Sequence, residues 1–309
     1  MAILVVTGSI ALAGPFHDRI IERKAAEEQG GSTAPAPGTD GPMTLPAGAR
    51  VVRDVSYGSD PRQRFDVYIP ANAKNAPVIF MVHGGAWFLG DKAERTVGAN
   101  KVARWLPRGF IVVSTNYRML PEAAPTEQAR DVARALAAAQ DRAASWGGDR
   151  SRFILMGHSS GAHLVALLAS SPALSAGIVS TPWLGTVALD SAALDVTKIM
   201  QARHARFYDR AFGHDPEYWR AASPFYALTK PERPILLVCS TQRSDSCPQA
   251  SRFAAKASFL GMKAAVLKQD LSHMEINERL GAEPDYTRAV EAFFASLGVP
   301  VDPARADRQ

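Results

Sequence analysis

The fold is most clearly indicated by the segment Phe153-Ile154-Leu155-Met156-Gly157-His158-Ser159-Ser160-Gly161-Ala162. Four apolar residues predict a buried strand, residues 157–161 form a G-x-S-x-G turn, and residues 162–169 predict a helix. Small residues on both sides of Ser159 permit a sharp strand-to-helix turn that exposes the serine hydroxyl. We therefore interpret Ser159 as a candidate nucleophile.

A second segment rich in glycine, His83-Gly84-Gly85-Ala86-Trp87, lies upstream of this turn. A backbone without side chains can aim its N–H groups at an oxyanion that develops during a reaction. We expect the N–H groups of Gly84, Gly85 and Ser160 to form such an oxyanion hole.

Apolar runs alternate with helical patterns along most of the chain. Residues 51–57 and 64–69 alternate in polarity and predict an antiparallel hairpin. Further strands are predicted at 77–82, 109–114, 153–156, 184–189, 235–238 and 264–267, and helices at 126–145, 160–170, 249–260 and 286–297. This alternation predicts an α/β fold with a mostly parallel central sheet and helices on both faces. Together with the order of the two glycine motifs, it indicates an α/β-hydrolase fold.

Residues 190–223 interrupt the alternation with short helical patterns rich in Ala, Arg, Tyr and Phe. An insertion at this point would lie above the carboxyl ends of the strands, where open α/β sheets bind ligands. We therefore predict a small helical cap over the site. Packing of these aromatic residues against the body of the domain is the simpler interpretation for most of them.

A serine nucleophile needs a base, and the chain order Ser, acid, His places that base near the carboxyl end of the domain. Among the seven histidines, His273 follows the last predicted strand and precedes a helix. We predict that His273 is the base. A histidine on a surface loop is the alternative interpretation.

The acid must orient the imidazole of the base and stabilise its charged form. Asp245 follows the strand at 235–238 and is our first candidate. Asp270 is close to His273 in sequence but is better suited to capping a turn, and Asp190 is a weaker third candidate.

The composition favours one large domain and excludes some classes of partner. The chain has 309 residues, of which 47% are hydrophobic, and a formal net charge of +5. Its basic residues are scattered, so a nucleic-acid-binding stripe is not indicated. We predict a hydrolase domain over residues 49–300 and a polar tail over 301–309.

Residues 1–48 predict an apolar leader, a charged stalk and a Gly/Pro-rich linker. Ala11-Leu12-Ala13 resembles a signal-peptide cleavage site, although no Lys or Arg precedes the apolar stretch. We expect an exported or membrane-tethered protein, with a cytoplasmic location as the alternative.

The chain has two cysteines, Cys239 and Cys247. They could be two buried thiols, or a disulfide that closes the loop bearing Asp245. The second interpretation requires an oxidising compartment. A thiol redox motif is not indicated, because the spacing is not C-x-x-C.

Three segments carry a family resemblance: Gly157-His158-Ser159-Ser160-Gly161-Ala162-His163, the run from His83 to Lys92, and Asn116-Tyr117-Arg118. Over residues 51–297 the chain resembles the hormone-sensitive-lipase-like branch of α/β-hydrolase carboxylesterases, and most closely its feruloyl-esterase-like and kynurenine-formamidase-like members. The resemblance implies hydrolysis of small-molecule esters or arylformamides without a metal or organic cofactor. Ala86 occupies the position of the third glycine in the H-G-G-G loop that is common in this branch. The form H-G-G-x-W is found in its formamidase-like members, so the resemblance is narrowed toward them. Ser240-Thr241-Gln242-Arg243 replaces a glycine-containing loop, which makes the position of the acid less certain.

We therefore predict a carboxylesterase that acts through Ser159, His273 and Asp245 on small or medium acyl groups. Arylformamide hydrolysis by the same residues is the first alternative, and a catalytically silent scaffold is the second. The predicted pocket walls are Trp87, Trp183, Phe207, Tyr208 and Met274, with burial in the hydrophobic core as the alternative interpretation for each.

Overall fold

The computed structural model describes residues 43–301. The predicted leader, stalk, most of the linker and the polar tail lie outside these residues. Within residues 43–301, no helix combines the length and hydropathy that a membrane span requires.

The domain is built around an eight-stranded sheet with the order β1-β2-β4-β3-β5-β6-β7-β8. Its strands are β1 (Arg50–Ser56), β2 (Arg64–Ile69), β3 (Ala76–Val82), β4 (Ile111–Thr115), β5 (Gly148–His158), β6 (Gly185–Leu189), β7 (Ile235–Ser240) and β8 (Ala264–Gln269). β1 pairs with β2, and β2 with β4, in antiparallel fashion, whereas all pairs from β4 to β8 are parallel. The predicted hairpin and the predicted parallel sheet are thus both present.

Eleven α-helices are found in the part of the chain that the structure describes. They are α1 (Arg95–Trp105), α2 (Pro125–Arg142), α3 (Ser160–Ser170), α4 (Pro172–Ser175), α5 (Val196–Met200), α6 (Arg206–Phe212), α7 (Pro216–Ala221), α8 (Pro224–Ala227), α9 (Ser246–Phe259), α10 (His273–Glu278) and α11 (Pro284–Ser296). The short helices α5–α8 form the insertion between β6 and β7, which we call the cap.

Hydrophobic cores lie on both faces of the sheet. In β3, Val78 and Phe80 belong to the core under α2 and α3, while Ile79 and Met81 belong to the core under α1 and α11. Successive side chains of a strand point to opposite faces, so a strand covered on both faces is apolar throughout. This explains why the central strands are continuous apolar runs.

Helix α1 was not predicted from the sequence. Its buried positions Val97, Lys101, Val102 and Trp105 follow the helical period. Lys101 places a charged residue on the buried face, so the sequence does not show a continuous apolar face, and Gly98 is a poor helix former.

Candidate active site

Ser159 stands on a tight turn between β5 and α3. Its φ is +55° and its ψ is −119°, a strained conformation for a residue with a side chain. A Cβ atom at Gly157 would lie 2.4 Å from the carbonyl oxygen of Gly161, and one at Gly161 would lie 2.3 Å from that of His83. Only glycine fits either position, so the two glycines of the motif allow β5, α3 and the end of β3 to meet closely.

His273 is the first residue of α10 and faces Ser159. The distance between His273 Nε2 and Ser159 Oγ is 3.0 Å. Ser272 caps α10 by a reciprocal pair of hydrogen bonds with Glu275, and Ser240 Oγ donates to the carbonyl oxygen of Leu271. The loop before His273 is therefore fixed on both sides, and the structure brings the predicted nucleophile and base into hydrogen-bond contact.

Asp190, rather than Asp245, contacts the imidazole of His273. The distance between Asp190 Oδ2 and His273 Nδ1 is 2.6 Å. The side chain of Asp245 is 48% exposed and pairs with Arg243 at 3.1 Å. The first choice for the acid was therefore wrong, because Asp245 immediately precedes α9 with a half-exposed side chain, whereas Asp190 directly follows β6 and its carboxylate is buried.

Asp270 contacts neighbouring polar side chains instead of the imidazole. It is exposed at the end of β8, where Gln242 Nε2 donates to its carboxylate at 3.2 Å. This position agrees with the interpretation of Asp270 as a residue that stabilises a turn.

The carboxylate of Asp190 accepts four hydrogen bonds. Oδ1 accepts from the backbone N–H of Ser240 at 2.7 Å and from Ser246 Oγ at 2.5 Å. Oδ2 accepts from His273 Nδ1 and from Arg243 at 2.9 Å. Burial by itself would raise the pKa of Asp190, but the hydrogen bond and charge of His273 and the charge of Arg243 outweigh it and hold that pKa far below its usual value. The carboxylate is thus ionised at neutral pH.

His273 is buried and its pKa is lowered. Burial is the largest cause, the hydrogen bond to Asp190 raises the pKa, and the charge of Arg243 lowers it again. The imidazole is therefore neutral at pH 7, as a base that accepts a proton from Ser159 must be.

The glycine-rich loop after β3 lies against the nucleophile. A Cβ atom at Gly84 would come within 3.0 Å of the Ser159 Cβ, and Gly85, Ala86 and Trp87 all have positive φ values. Ala86 and Ser160 line the cleft beside Ser159. Gly84 and Ser160 thus lie next to Ser159, and the role of the Gly84, Gly85 and Ser160 amides in binding an oxyanion stays a prediction.

The side chain of His83 contacts the backbone of this loop. Its Nδ1 donates to the carbonyl oxygen of Gly84 at 2.6 Å, and its ring stacks on Tyr117 with a centroid distance of 4.5 Å. Complete burial lowers the pKa of His83 to about 4. The side chain is a neutral structural support for the loop.

The cap closes the cleft over Ser159. Trp87 packs against Phe207, Tyr208 and Phe212 of α6, with ring centroids 6.4, 5.9 and 4.8 Å away. The remaining cavity is about 10 Å³, which is room for about one water molecule. Its walls include three of the predicted pocket residues, namely Trp87, Phe207 and Tyr208.

Two predicted pocket residues do not line this cleft. Trp183 precedes β6 and therefore lies at the amino-terminal end of this strand, whereas Asp190 follows its carboxyl end. The Nε1 of Trp183 donates to Thr186 Oγ1 at 3.0 Å. Met274 follows His273 in α10, and adjacent helical residues point about 100° apart. The prediction for Trp183 was therefore wrong, and that for Met274 stays a prediction.

Cys239 and Cys247 form a disulfide between the end of β7 and the start of α9. The bridge closes the segment that contains Ser240, Arg243 and Ser246. Sequence analysis did not single out Arg243 or Ser246 as contacts of the acid. The sequence feature that could have identified Asp190 is its position directly after an apolar run, because the turn bearing Ser159 also directly follows an apolar run.

Comparison with known families and proteins shows which proteins this chain is similar to. A BD-FAE family model matches residues 65–256, a range that contains Ser159 and Asp190 but ends before His273. This family belongs to the hormone-sensitive-lipase-like α/β-hydrolases, which confirms the resemblance drawn from the motifs.

Two curated relatives illustrate the range of similarity. The Mycobacterium tuberculosis protein named esterase LipC is 28% identical over 72% of this chain and 58% of its own length. A probable isoprenylcysteine alpha-carbonyl methylesterase from Oryza sativa is 36% identical over 38% of this chain and 28% of its own length. The matches thus span about a quarter to three fifths of these relatives.

Among solved structures, esterase B from Lactobacillus rhamnosis superposes with a TM-score of 0.66 at 20% identity, covering 83% of this chain and 89% of that one. The apo form of esterase 2 from Thermogutta terrifontis superposes with a TM-score of 0.66 at 19% identity, covering 83% of this chain and 97% of that one. These likenesses confirm the predicted fold class.

Proposed function

The chain belongs to the BD-FAE family, and on that premise we propose that it is a serine hydrolase that cleaves small carboxylic esters. The observation that carries the proposal is the continuous contact from Ser159 through His273 to Asp190, at 3.0 and 2.6 Å. This is the arrangement of nucleophile, base and orienting acid that acyl transfer requires.

The reaction follows from the geometry. Ser159 Oγ attacks the ester carbonyl while His273 Nε2 takes the hydroxyl proton, and Asp190 stabilises the imidazolium that forms. The imidazolium then protonates the leaving alcohol, which leaves an acyl group on Ser159. Water attacks this acyl-enzyme, and His273 again takes and returns the proton.

Short acyl groups suit the cleft best. The cavity beneath the cap holds about one water molecule, so the cap must move to admit any acyl group, and a short acyl chain needs the smallest movement. We therefore infer that acetyl and butyryl esters react faster than octanoyl esters.

The test is an ester panel of varied acyl length, measured on the wild-type protein and on Ser159→Ala. We expect turnover of short esters and a loss of about 10⁴-fold or more in kcat for the variant, which should keep its circular dichroism spectrum. A fluorophosphonate should label only the wild-type protein. Near-normal turnover by Ser159→Ala would contradict the proposal, and a marked preference for formylkynurenine over every ester would replace it with arylformamide hydrolysis.

We further propose that the protein works in an oxidising compartment, through export or an amino-terminal tether. The disulfide between Cys239 and Cys247 supports this, since such bonds are rare in reducing cytosol. Fractionation of cells that express the full chain, with thiols alkylated at lysis, tests it. Cytosolic protein with two free thiols would contradict this location.

A further inference from the structure

The contacts of Arg243 suggest a role that the reaction scheme does not assign. Its side chain is 7% exposed, and its guanidinium bridges two carboxylates, Asp190 at 2.9 Å and Asp245 at 3.1 Å. An arginine fork holds two acceptors in fixed directions, which a flexible ammonium group cannot do. Arg243 is thus built into the site and is not a surface cation.

Arg243 and His273 approach the same oxygen. The terminal nitrogen of Arg243 lies 2.8 Å from His273 Nδ1, and both nitrogens contact Asp190 Oδ2. Because Nδ1 donates its proton to Asp190, the two nitrogens are neighbouring donors and not partners. The guanidinium therefore fixes the carboxylate that orients the imidazole, and it opposes a second positive charge on that imidazole.

The disulfide closes the segment that supplies this contact. Three of the four donors to Asp190 come from residues 239–247, namely Ser240, Arg243 and Ser246. Cys239 and Cys247 bracket those donors at both ends. A short loop fixed at both ends has few conformations available in which the donors lie elsewhere.

We propose that Arg243 is a positioning residue for the Asp190–His273 pair and that the Cys239–Cys247 disulfide keeps it there. This inference rests on the proposed esterase function. It assigns the segment 239–247 to alignment of the base and not to contact with the substrate.

Charges from several elements face His273, and the experiment must separate Arg243 from the others. His158 of β5 lies with its ring centroid 4.6 Å from that of His273 and donates from Nε2 to the backbone carbonyl of His273. Burial keeps the pKa of His158 well below its usual value, so it adds no charge near neutral pH. The remaining groups are Asp190 after β6, Asp245 beside Arg243, and the uncharged hydroxyl of Tyr208 on α6, which interacts with Arg243.

The first experiment compares Arg243→Met and Arg243→Lys with the wild-type protein. It measures kcat and the pH dependence of kcat/KM for p-nitrophenyl acetate at the isosbestic wavelength. For Arg243→Met we expect kcat to fall about 10-fold, because one charged hydrogen bond is lost. The acid limb of the profile, where kcat/KM falls as His273 is protonated, should move to higher pH because a nearby positive charge is removed. Arg243→Lys should keep the acid limb near its wild-type position, because the charge remains, while kcat still falls.

Arg104→Met is the matched control, because Arg104 forms a two-pronged ion pair with Glu291 of α11 and does not contact the triad. It should keep the wild-type kcat and pH profile. If Arg243→Met kept the wild-type kcat, or if its acid limb stayed at the wild-type pH, the proposed positioning role of Arg243 would be overturned.

The second experiment removes the disulfide in Cys239→Ala/Cys247→Ala, alone and together with Arg243→Met. Arg243→Met removes the guanidinium that loss of the disulfide would displace, so we expect losses that do not multiply in the combined variant. Losses that multiply would overturn the link between the disulfide and Arg243.

Reduction of the wild-type protein tests the same link if the double variant does not fold. Dithiothreitol gives two electrons and two protons to the S–S bond, which yields two cysteine thiols and a cyclic disulfide of the reagent. After removal of the reagent under argon, kcat should be about 10-fold lower, and it should recover on reoxidation. Unchanged kcat in the reduced protein would overturn the link, whereas a wild-type protein that neither hydrolyses esters nor reacts with a fluorophosphonate would refute the proposed function instead.

Discussion

Trp87 Nε1 donates a hydrogen bond to His163 Nδ1 over 3.1 Å, which joins the loop beside Ser159 to helix α3. Because Nδ1 accepts this bond, the proton of the neutral ring is on Nε2, which donates to the carbonyl oxygen of Ala222 in the cap at 2.7 Å. Burial lowers the pKa of His163 to about 4, so the ring stays neutral at pH 7. One imidazole thus connects the loop, the nucleophile helix and the cap.

Trp87→Phe should lower both stability and turnover. It leaves the buried Nδ1 of His163 without its donor, which costs about 2 kcal/mol of unfolding free energy, and it releases a loop held at positive φ. Urea unfolding and kcat on a short ester measure the two effects. Trp146→Phe is the control, because that indole packs edge-on against Phe65 in the core; an equal loss of kcat in both variants would contradict a specific role for Trp87.

The position of the acid gives a second prediction. Asp190→Asn should lower kcat by about 10³- to 10⁴-fold, because an amide neither fixes the tautomer of His273 nor stabilises its charge. Asp245→Asn should lose much less, since Asp245 reaches the imidazole only through Arg243. Asp270→Asn, at an exposed turn, should keep wild-type kcat; a larger loss in Asp245→Asn than in Asp190→Asn would return the acid to Asp245.

The fold could be predicted from the sequence because burial imposes readable patterns. Strands covered on both faces must be apolar throughout, and the turn at Ser159 tolerates only glycine where the backbones nearly touch. Helix α1 escaped prediction because Lys101 occupies a buried position of its stripe. Its amine is satisfied by Asn277 from a distant helix, and no local pattern reports such a partner.

The site was only partly predictable for a similar reason. Asp190 and Asp245 both follow parallel strands, so position along the chain does not separate them. The choice depends on side-chain direction at the strand end and on Arg243, which comes between the two carboxylates only in the folded protein. Trp183 shows the same limit, because an aromatic residue next to a strand can lie at either end of it.

The pH dependence of kcat/KM reports the protonation of His273 in the free enzyme. Burial lowers the pKa of His273 from its ordinary value of 6.5, so the neutral base persists below that pH. We therefore expect kcat/KM for a neutral ester to fall only as pH decreases through values below 6.5. An acid limb centred above 6.5 would contradict this environment for the imidazole.

Acyl-chain preference should depend on Phe207. Its ring forms part of the wall of a cavity of about 10 Å³, so Phe207→Ala opens space next to Ser159. We expect kcat/KM for octanoate to rise relative to acetate, measured as a ratio so that changes in stability cancel. Phe225→Ala, on α8 outside the cleft walls, should leave the ratio unchanged; an unchanged ratio in Phe207→Ala would place the acyl group elsewhere.

Helix α10, which carries His273, is held at its carboxyl end by side chains of other helices. Lys101 Nζ donates to the backbone carbonyl of Asn277 at 2.7 Å and to its Oδ1 at 2.9 Å. Tyr286 and Asn100 donate to the carbonyl oxygens of Ile276 and Glu278. These bonds satisfy carbonyl groups that a helix end leaves without partners.

Lys101 should also make stability depend on pH. Complete burial lowers its pKa from 10.5 to about 7, so between these values the unfolded chain binds more protons than the folded protein. The free energy of unfolding therefore increases with pH across that window. Lys101→Met should flatten this slope and, at pH 9, cost about 1 to 3 kcal/mol because two acceptors of Asn277 lose their donor.

Urea unfolding of both proteins at pH 6.5, 8 and 9 measures the slope, with the exposed Lys74→Met as control. The difference in stability between wild type and Lys101→Met should narrow as pH falls, because the wild-type protein must then bury a charged amine. A parallel pair of pH curves would show that Lys101 does not titrate in this window.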